Sequence, residues 1–318
     1  MQTLSPDLTL EFIPQTFLSE YTTFRLGGPC LALIPCQTPV QLEKAVNRLL
    51  QGKMSFILVG GGSNLVVADE GINCFVIRYL SDVPLIAQQG EGLLVSGSTL
   101  LDDLALFAAE KGLEGLNYTS GIPGTVGGAV VGNAGAFGKQ VGDVIKSVVL
   151  LTRDGQKKEV NPENLHFKYR DSILKETGDI VFSVQFSLKS ESKEALLRER
   201  DEILNIRQEK HPNLTTHPCA GSFFRNIEPT SKAGKRQAAG WFLEQAGGKE
   251  LSSGGAKIFE KHANIIVKSD GCRAQDVFEL SQKMAQLVKE KFDLELIREV
   301  RFVGKFEGMP AGIQETIW

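Results

Sequence analysis

From Gly121 to Gly138 the chain reads GIPGTVGGAVVGNAGAFG, seven glycines in 18 residues with no lysine, arginine or carboxylate among them. A stretch so bare of side chains and charge does not have the composition of a flexible linker, which is usually diluted with Ser, Lys or Glu. It reads as backbone laid against something, because glycine reaches positive φ and lets the main chain approach a ligand with no β-carbon in the way. Consecutive N–H groups can then converge on an anion, and a nucleotide pyrophosphate is the leading candidate. A glycine-rich turn packed between strands is the structural alternative.

A second glycine cluster weighs against that alternative. The apolar run Ser55 to Val59 reads as a buried strand and leads into Gly60-Gly61-Gly62-Ser63-Asn64-Leu65, a tight loop rich in donors. Two such loops read as two walls of one site. Neither contains Gly-x-Gly-x-x-Gly, and no Gly-Lys pair in the chain is followed by Ser or Thr, so a Rossmann dinucleotide site and a phosphate-loop NTPase are both disfavoured.

At 318 residues the chain exceeds one domain of roughly 100–200 residues, so two or three units are expected. A net charge of −3 with interspersed signs leaves no basic stripe for a nucleic-acid backbone. The five cysteines include no C-x-x-C and the four histidines no H-E-x-x-H, so no metal site is expected and the thiols read as reduced. No export signal and no run of about 18 apolar residues is present, so the expectation is a cytoplasmic protein without membrane or nucleic-acid partners.

Helical spacing of Leu42, Ala45, Val46 and Leu49 predicts a helix over 39–52, followed by strands over 74–79 and 92–97 and a helix over 102–111. Residues 144–152 and 157–160 read as a hairpin about Arg153-Asp154-Gly155-Gln156, and 180–188 as a half-buried strand. The charged run 190–210, whose apolar stripe is Leu196, Leu197, Ile203, Leu204 and Ile206, reads as a solvent-facing helix joining two units. Beyond it lie a helix over 236–246, a strand over 264–268, a helix over 274–291, a strand over 294–303 and a tail without pattern.

Three further motifs combine polar groups with turns. Arg170, in Tyr169-Arg170-Asp171-Ser172, is either a surface ion pair with Asp171 or a guanidinium fork for a carboxylate or enolate. Ser222, in Gly221-Ser222-Phe223-Phe224-Arg225-Asn226, lacks the Gly-x-Ser-x-Gly elbow of a hydrolase nucleophile. Glu299, in Arg298-Glu299-Val300-Arg301-Phe302, interrupts an apolar strand pattern.

Taken in order, Thr22-Thr23-Phe24-Arg25-Leu26-Gly27-Gly28, the 60–64 loop, the 121–138 segment, these three motifs and Glu260-Lys261-His262-Ala263-Asn264 closely resemble the UDP-N-acetylenolpyruvoylglucosamine reductase family of peptidoglycan synthesis. The likeness runs from about residue 20 to 305, and no extra tyrosine-bearing loop of the family's longer type is seen. It implies an α+β, vanillyl-alcohol-oxidase-type FAD-binding fold of two subdomains (1–80 and 81–200), a C-terminal α+β substrate domain (201–306) and a tail (307–318). It implies a monomeric flavoenzyme serving cell-wall synthesis, and so cell shape and division. NADPH first delivers hydride to FAD and leaves; reduced flavin then passes hydride to C3 of the enolpyruvyl ether, and a proton added at C2 gives UDP-N-acetylmuramate.

By the same resemblance Arg170 and Glu299 stabilise the enolate that develops at the carboxylate, with Glu299 protonated, and Ser222 gives the proton to C2. FAD contacts are implied at Gly60, Gly61, Gly62, Ser63, Asn64, Ser98, Gly121, Ile122, Gly124, Thr125, Gly128, Asn133, Ala134, Gly135, Val181 and Arg225. Substrate contacts are implied at Tyr169, Asn226, Lys261, His262 and Asn264. The chain departs from the family in Thr125 for serine, in Gly132, in Phe137 for tyrosine, and in a longer link over 227–236 carrying Thr230, Ser231, Lys232 and Lys235. Two other readings stay open: an FAD-dependent sugar or alcohol oxidase, and a flavin-binding module without catalysis.

Overall fold

The computed structural model describes residues 10–228 and 236–309. Of the sequence expectations, the centre of the link at 227–236, including Thr230, Ser231, Lys232 and Lys235, lies outside the described residues, as does the tail from 310 onward.

The first sheet is built around three parallel strands, Ala32–Cys36, Phe75–Tyr79 and Phe56–Val59, with Ile13–Pro14 antiparallel at one edge. Helix Pro39–Gln51 begins in a capping box between Thr38 and Gln41 and buries Leu42, Ala45, Val46 and Leu49, as its spacing predicts. The second sheet is antiparallel throughout, in the order Lys157–Val160, Ile145–Leu151, Ile180–Ser187, Gly92–Ser96, Ile86–Gln89. Helices Leu101–Glu110 and Val126–Val131 contribute to its apolar core. The two sheets are joined by packing of Leu151 and Ile180 against Ile34 and Tyr79, whose hydroxyl meets Ser96 Oγ and the Phe182 carbonyl, each at 2.9 Å.

The third unit is a hairpin, Ala256–Phe259 with His262–Lys268, flanked by Ser252–Ser253 and by helices Ala239–Gln245 and Ala274–Phe292. The chain then returns: Arg301–Val303 pairs in parallel with Leu65–Val67, the strand that follows the 60–64 loop. Val303 thereby enters the first unit's core, while Phe302 packs with Phe278 and Phe306 in the third.

Several elements differ from the sequence reading. The glycine-rich segment is not wholly loop, since Val126–Val131 is helical with Thr125 as its N-cap. The 190–210 helix spans Lys193–Lys210 and is less solvent-facing than its charge implies, because it buries Leu196, Arg200 and Ile203. Helix Ala239–Gln245 starts three residues later than expected, since Gln237 is drawn into a bridge with Ile227. Strand Ala256–Phe259 was not expected. The strand expected over 294–303 is regular only from Arg301, where a partner strand exists; before it only Arg298 bridges, to Phe224.

Helix Ala274–Phe292 is capped from outside its own unit: the Asp69 carboxylate accepts from the amides of Ala274 at 2.8 Å and Gln275 at 3.2 Å. A carboxylate there also meets the positive end of the helix dipole. Asp69→Ala should therefore cost about 1–2 kcal/mol of stability, with Asp69→Asn intermediate. Urea unfolding midpoints of the flavin-loaded protein measure it.

Candidate active site

The two glycine clusters meet. A β-carbon on Gly60 would stand 2.5 Å from Thr125 Oγ1 and one on Gly61 3.1 Å from Gly124 Cα, while Ser63 Oγ donates to the Pro123 carbonyl at 3.0 Å. Gly62, at φ +62°, lies so close to the Tyr21 carbonyl that a β-carbon would sit at 2.1 Å. The result is a cradle of bare backbone. Its donors are only in part those the glycine-rich segment suggests. The amides of Val126, Gly127 and Gly128 are taken by Thr99, Gly97 and Thr125, that of Gly121 by the Asp102 carboxylate and that of Ile122 by Thr119. Among the described residues, the amides of Gly61, Gly62 and Ser63 meet no protein acceptor, and neither do those of Gly124 and Thr125 in the facing stretch, so both loops supply open donors and the 60–64 loop more of them.

Arg170 sits at the tip of a two-residue turn closed by reciprocal bonds between Lys168 and Asp171, at 3.0 and 3.1 Å. Its φ of +56° is the second-position geometry that turns usually give to glycine. An arginine there bears roughly 1–2 kcal/mol of backbone strain. From this tip Nη2 donates to the Gly135 carbonyl at 2.6 Å, and Nε lies 3.2 Å from Glu299 Oε1. Burial pushes the Glu299 carboxyl above its ordinary value, against the opposing pull of Arg170, Lys175 and Arg225. The Glu299 backbone is fixed on both sides: its amide donates to the Phe223 carbonyl at 2.8 Å, and its carbonyl accepts from Asn64 Nδ2 at 3.2 Å.

Ser222 follows Gly221, at φ +78°, and bridges Ile265, so it lies one residue from the carbonyl that anchors Glu299. Among the described residues its partly exposed hydroxyl engages no protein partner. Arg225 Nη2 is 3.8 Å from Asp171. Tyr169 Oη accepts from the Asn226 amide at 3.3 Å, and the Arg236 guanidinium covers its ring at 4.0 Å. Tyr169, Asp171, Arg225 and Asn226 help line a cleft of about 270 Å³. Lys261 is exposed, and His262 Nδ1 accepts from the Asn264 amide at 3.3 Å. Burial lowers the affinity of His262 for a proton, and its ring lies 5.6 Å from that of His211.

Other implied contacts lie inside the fold. Asn264 is buried, and its carboxamide accepts from the Phe224 amide at 3.0 Å and donates to the Phe224 carbonyl at 2.8 Å. Asn133, buried at φ +43°, donates to Gln140 and to the Lys168 carbonyl and accepts from Gly142. Ser98 is buried with its hydroxyl on the Gln37 carbonyl at 2.8 Å, and Val181 belongs to the core of the second sheet. Ser98, Asn133 and Asn264 bond to neighbouring backbone, while Val181 packs in the apolar core. Ala134 is partly buried beside them, its carbonyl bonded by the Val141 amide. Phe137, where the family has tyrosine, is exposed at φ +52°.

Sequence reading missed the residues that brace the cradle. Arg200 makes two bonds to Asp102, at 2.7 and 2.9 Å, and that carboxylate holds the Gly121 amide at 2.7 Å. Arg207 Nε donates to the Ser120 carbonyl at 2.7 Å. A signal existed, because Leu196, Arg200, Ile203 and Arg207 share one helical face.

A family model described as an FAD binding domain matches residues 30–161, and another, described as the UDP-N-acetylenolpyruvoylglucosamine reductase C-terminal domain, matches 212–303. With the fold above, they define an FAD-dependent oxidoreductase. The chain is 36% identical over 288 residues to the UDP-N-acetylenolpyruvoylglucosamine reductase of Lactobacillus acidophilus, a match covering 91% of this chain and 93% of that protein. Identity to the Bacillus subtilis enzyme of that name is 33%, covering 90% and 92%. The crystal structure of the Thermus caldophilus enzyme matches with a TM-score of 0.74 at 34% identity, covering 92% of this chain and 98% of that one. The chain belongs to the UDP-N-acetylenolpyruvoylglucosamine reductase family. Its cradle fits the FAD this family model names, since among the described residues the amides of Gly61, Gly62 and Ser63 stay open toward an anion while the glycines let the two loops pack closely.

Two measurements test the site. Gly60→Val should push Thr125 aside and weaken FAD retention at least about tenfold, roughly 1.4 kcal/mol, whereas Gly132→Ala, whose β-carbon would meet only the Gly128 carbonyl at 3.5 Å, should keep its flavin; absorbance per protein after dialysis reports both. Because the folded chain holds the Glu299 proton more tightly than usual, this group's stabilisation is full below its ordinary value of 4.5 and is lost as pH rises through the raised value. Unfolding free energy of Glu299→Gln should therefore fall less than that of the parent between about pH 4 and pH 7.

Proposed function

We propose that this protein reduces the enolpyruvyl ether of UDP-N-acetylglucosamine to UDP-N-acetylmuramate with NADPH as the electron donor, a cytoplasmic step of peptidoglycan synthesis. The observation that carries the reading is the pairing of Arg170 with a partly buried Glu299 whose carboxyl burial pushes above its ordinary value. When bound, FAD supplies the redox chemistry, taking hydride from NADPH and giving it to C3 of the second substrate.

The chain's own residues handle the charge and the proton. Addition at C3 pushes negative charge through C2 onto the substrate carboxylate, and catalysis requires groups that hold this charge better than they hold the ground state. Arg170 offers a planar fork to that carboxylate, and protonated Glu299 donates a further hydrogen bond. Ser222 gives its proton to C2; a hydroxyl is a weak acid, but a carbanionic carbon is a strong base and placement is what matters. Tyr169, Asn226, Lys261 and His262 receive the sugar-nucleotide end. We assign Asn264 to holding the Ser222–Phe224 segment rather than to contact, because both ends of its carboxamide bond to the Phe224 backbone. In domain terms 1–80 and 81–200 hold the cofactor and 201–306 covers the substrate, in a monomer.

An oxidase reading leaves the Arg170–Glu299 pair without work, and a binding module leaves Ser222 without any. Anaerobic spectra of Ser222→Ala distinguish them. NADPH should still bleach the flavin at near the parent rate, while reoxidation by the enolpyruvyl substrate should slow about 10²- to 10⁴-fold. Unimpaired reoxidation would remove Ser222 from the mechanism.

A further inference from the structure

Arg170 keeps an unfavourable backbone conformation, and the group that meets its carbonyl is not one of the three reacting residues. Lys175, in the short helix Leu174–Thr177, donates from Nζ to the Arg170 carbonyl at 2.5 Å and lies 3.5 Å from Asp171 Oδ1. We propose that Lys175 is a positioning residue for Arg170, clamping its carbonyl so that the left-handed turn persists and the guanidinium stays between Gly135 and Glu299. This rests on the reading of Arg170 given above.

The turn needs such a clamp for a reason found in the chemistry. Reciprocal bonds between Lys168 and Asp171 close its base, and the Asp171 amide among them shares a peptide unit with the Arg170 carbonyl, so Lys175 adds a second hold on that unit from its other side. From the side-chain end, the guanidinium is held by the Gly135 carbonyl and by Glu299. The second hold weakens when Glu299 carries its proton, which is the form required to donate to the substrate. A carbonyl clamp from Lys175 does not depend on that proton. The charged groups around Glu299 are Arg170, Lys175 and Arg225, with Asp171 facing both Lys175 and Arg225. Burial and the nearby Arg225 pull the Lys175 ammonium below its ordinary value, with Asp171 and Glu299 opposing them; in its charged form it gives the stronger, charge-assisted kind of hydrogen bond.

The test uses flavin-loaded Lys175→Met, Lys175→Gln and Lys175→Arg, together with Arg170→Met and the Arg170→Met/Lys175→Met double variant, in anaerobic stopped-flow. Flavin reduction by NADPH should stay within about twofold of the parent, while reoxidation by the enolpyruvyl substrate slows about 10- to 100-fold in Lys175→Met and recovers most of its rate in Lys175→Arg. If Lys175 acts through Arg170, the double variant should reoxidise no more slowly than Arg170→Met alone. Reoxidation of Lys175→Met within about twofold of the parent, or losses that multiply in the double variant, overturns the proposal. So does failure of all three Lys175 variants to fold and retain FAD, which marks a general structural role. A normal rate in Arg170→Met would instead remove the underlying reading, and this inference with it.

Discussion

The parallel pairing of Arg301–Val303 with Leu65–Val67 is the contact on which the site depends. The Arg301 amide donates to the Asn64 carbonyl at 3.1 Å and the Ala68 amide to the Val303 carbonyl at 2.8 Å, so the returning chain is fastened at both ends of a short ladder. Asn64 Nδ2 reaches one step further, to the carbonyl of Glu299. A carboxylate encoded near the end of the sequence is therefore held on the loop that provides more of the cradle's open amides. Side-chain alternation secures the same strand in two cores at once, with Phe302 among the aromatics of the third unit and Val303 in the first. Slipping that register by one residue would exchange the two and turn Glu299 away.

Around this join the charges are arranged locally, against a net charge of −3 for the whole chain. Arg170, Lys175 and Arg225 surround Glu299, and Asp171 pairs with both Lys175 and Arg225. Burial favours the neutral form of Glu299, while the cations favour the ionised one, and burial has the larger effect. A group poised in this way can serve as a donor to developing negative charge, which a fully ionised carboxylate cannot. The strain held at Arg170 belongs to the same arrangement, since a left-handed turn presents the guanidinium where a relaxed one would not.

Glycine explains why the cofactor site was readable in advance, and why it was readable only in part. Side-chain-free backbone at 60–62 and 121–128 has few uses besides close approach, and the two loops do touch. Which amides remain open could not be read, because that depends on partners such as Thr99, Gly97 and Asp102, brought in from other strands and helices. Helix Pro39–Gln51 and most strands of both sheets follow from local patterns, but Ile13–Pro14, Ala32–Cys36 and Ile86–Gln89 are not among those the sequence reading expects. The stretch 294–300 misled, because an alternating pattern becomes a strand only where a neighbour pairs with it. That Ser98, Asn133, Val181 and Asn264, which the resemblance places at contacts, are buried within the fold is something burial alone reveals.

The sequence by itself determined the family, the flavin cofactor and the identities of the candidate reacting groups, since motif order and glycine content are properties of the linear chain. Only the tertiary structure decided how those groups stand to one another. Long-range contacts set Arg170 3.2 Å from Glu299, tied Glu299 to both Asn64 and Phe223, drew Arg207 beneath the glycine segment and placed Lys175 behind the turn. Each of these joins residues far apart in the chain or fixes a backbone angle that no residue type announces, so neither periodicity nor composition carries a trace of it.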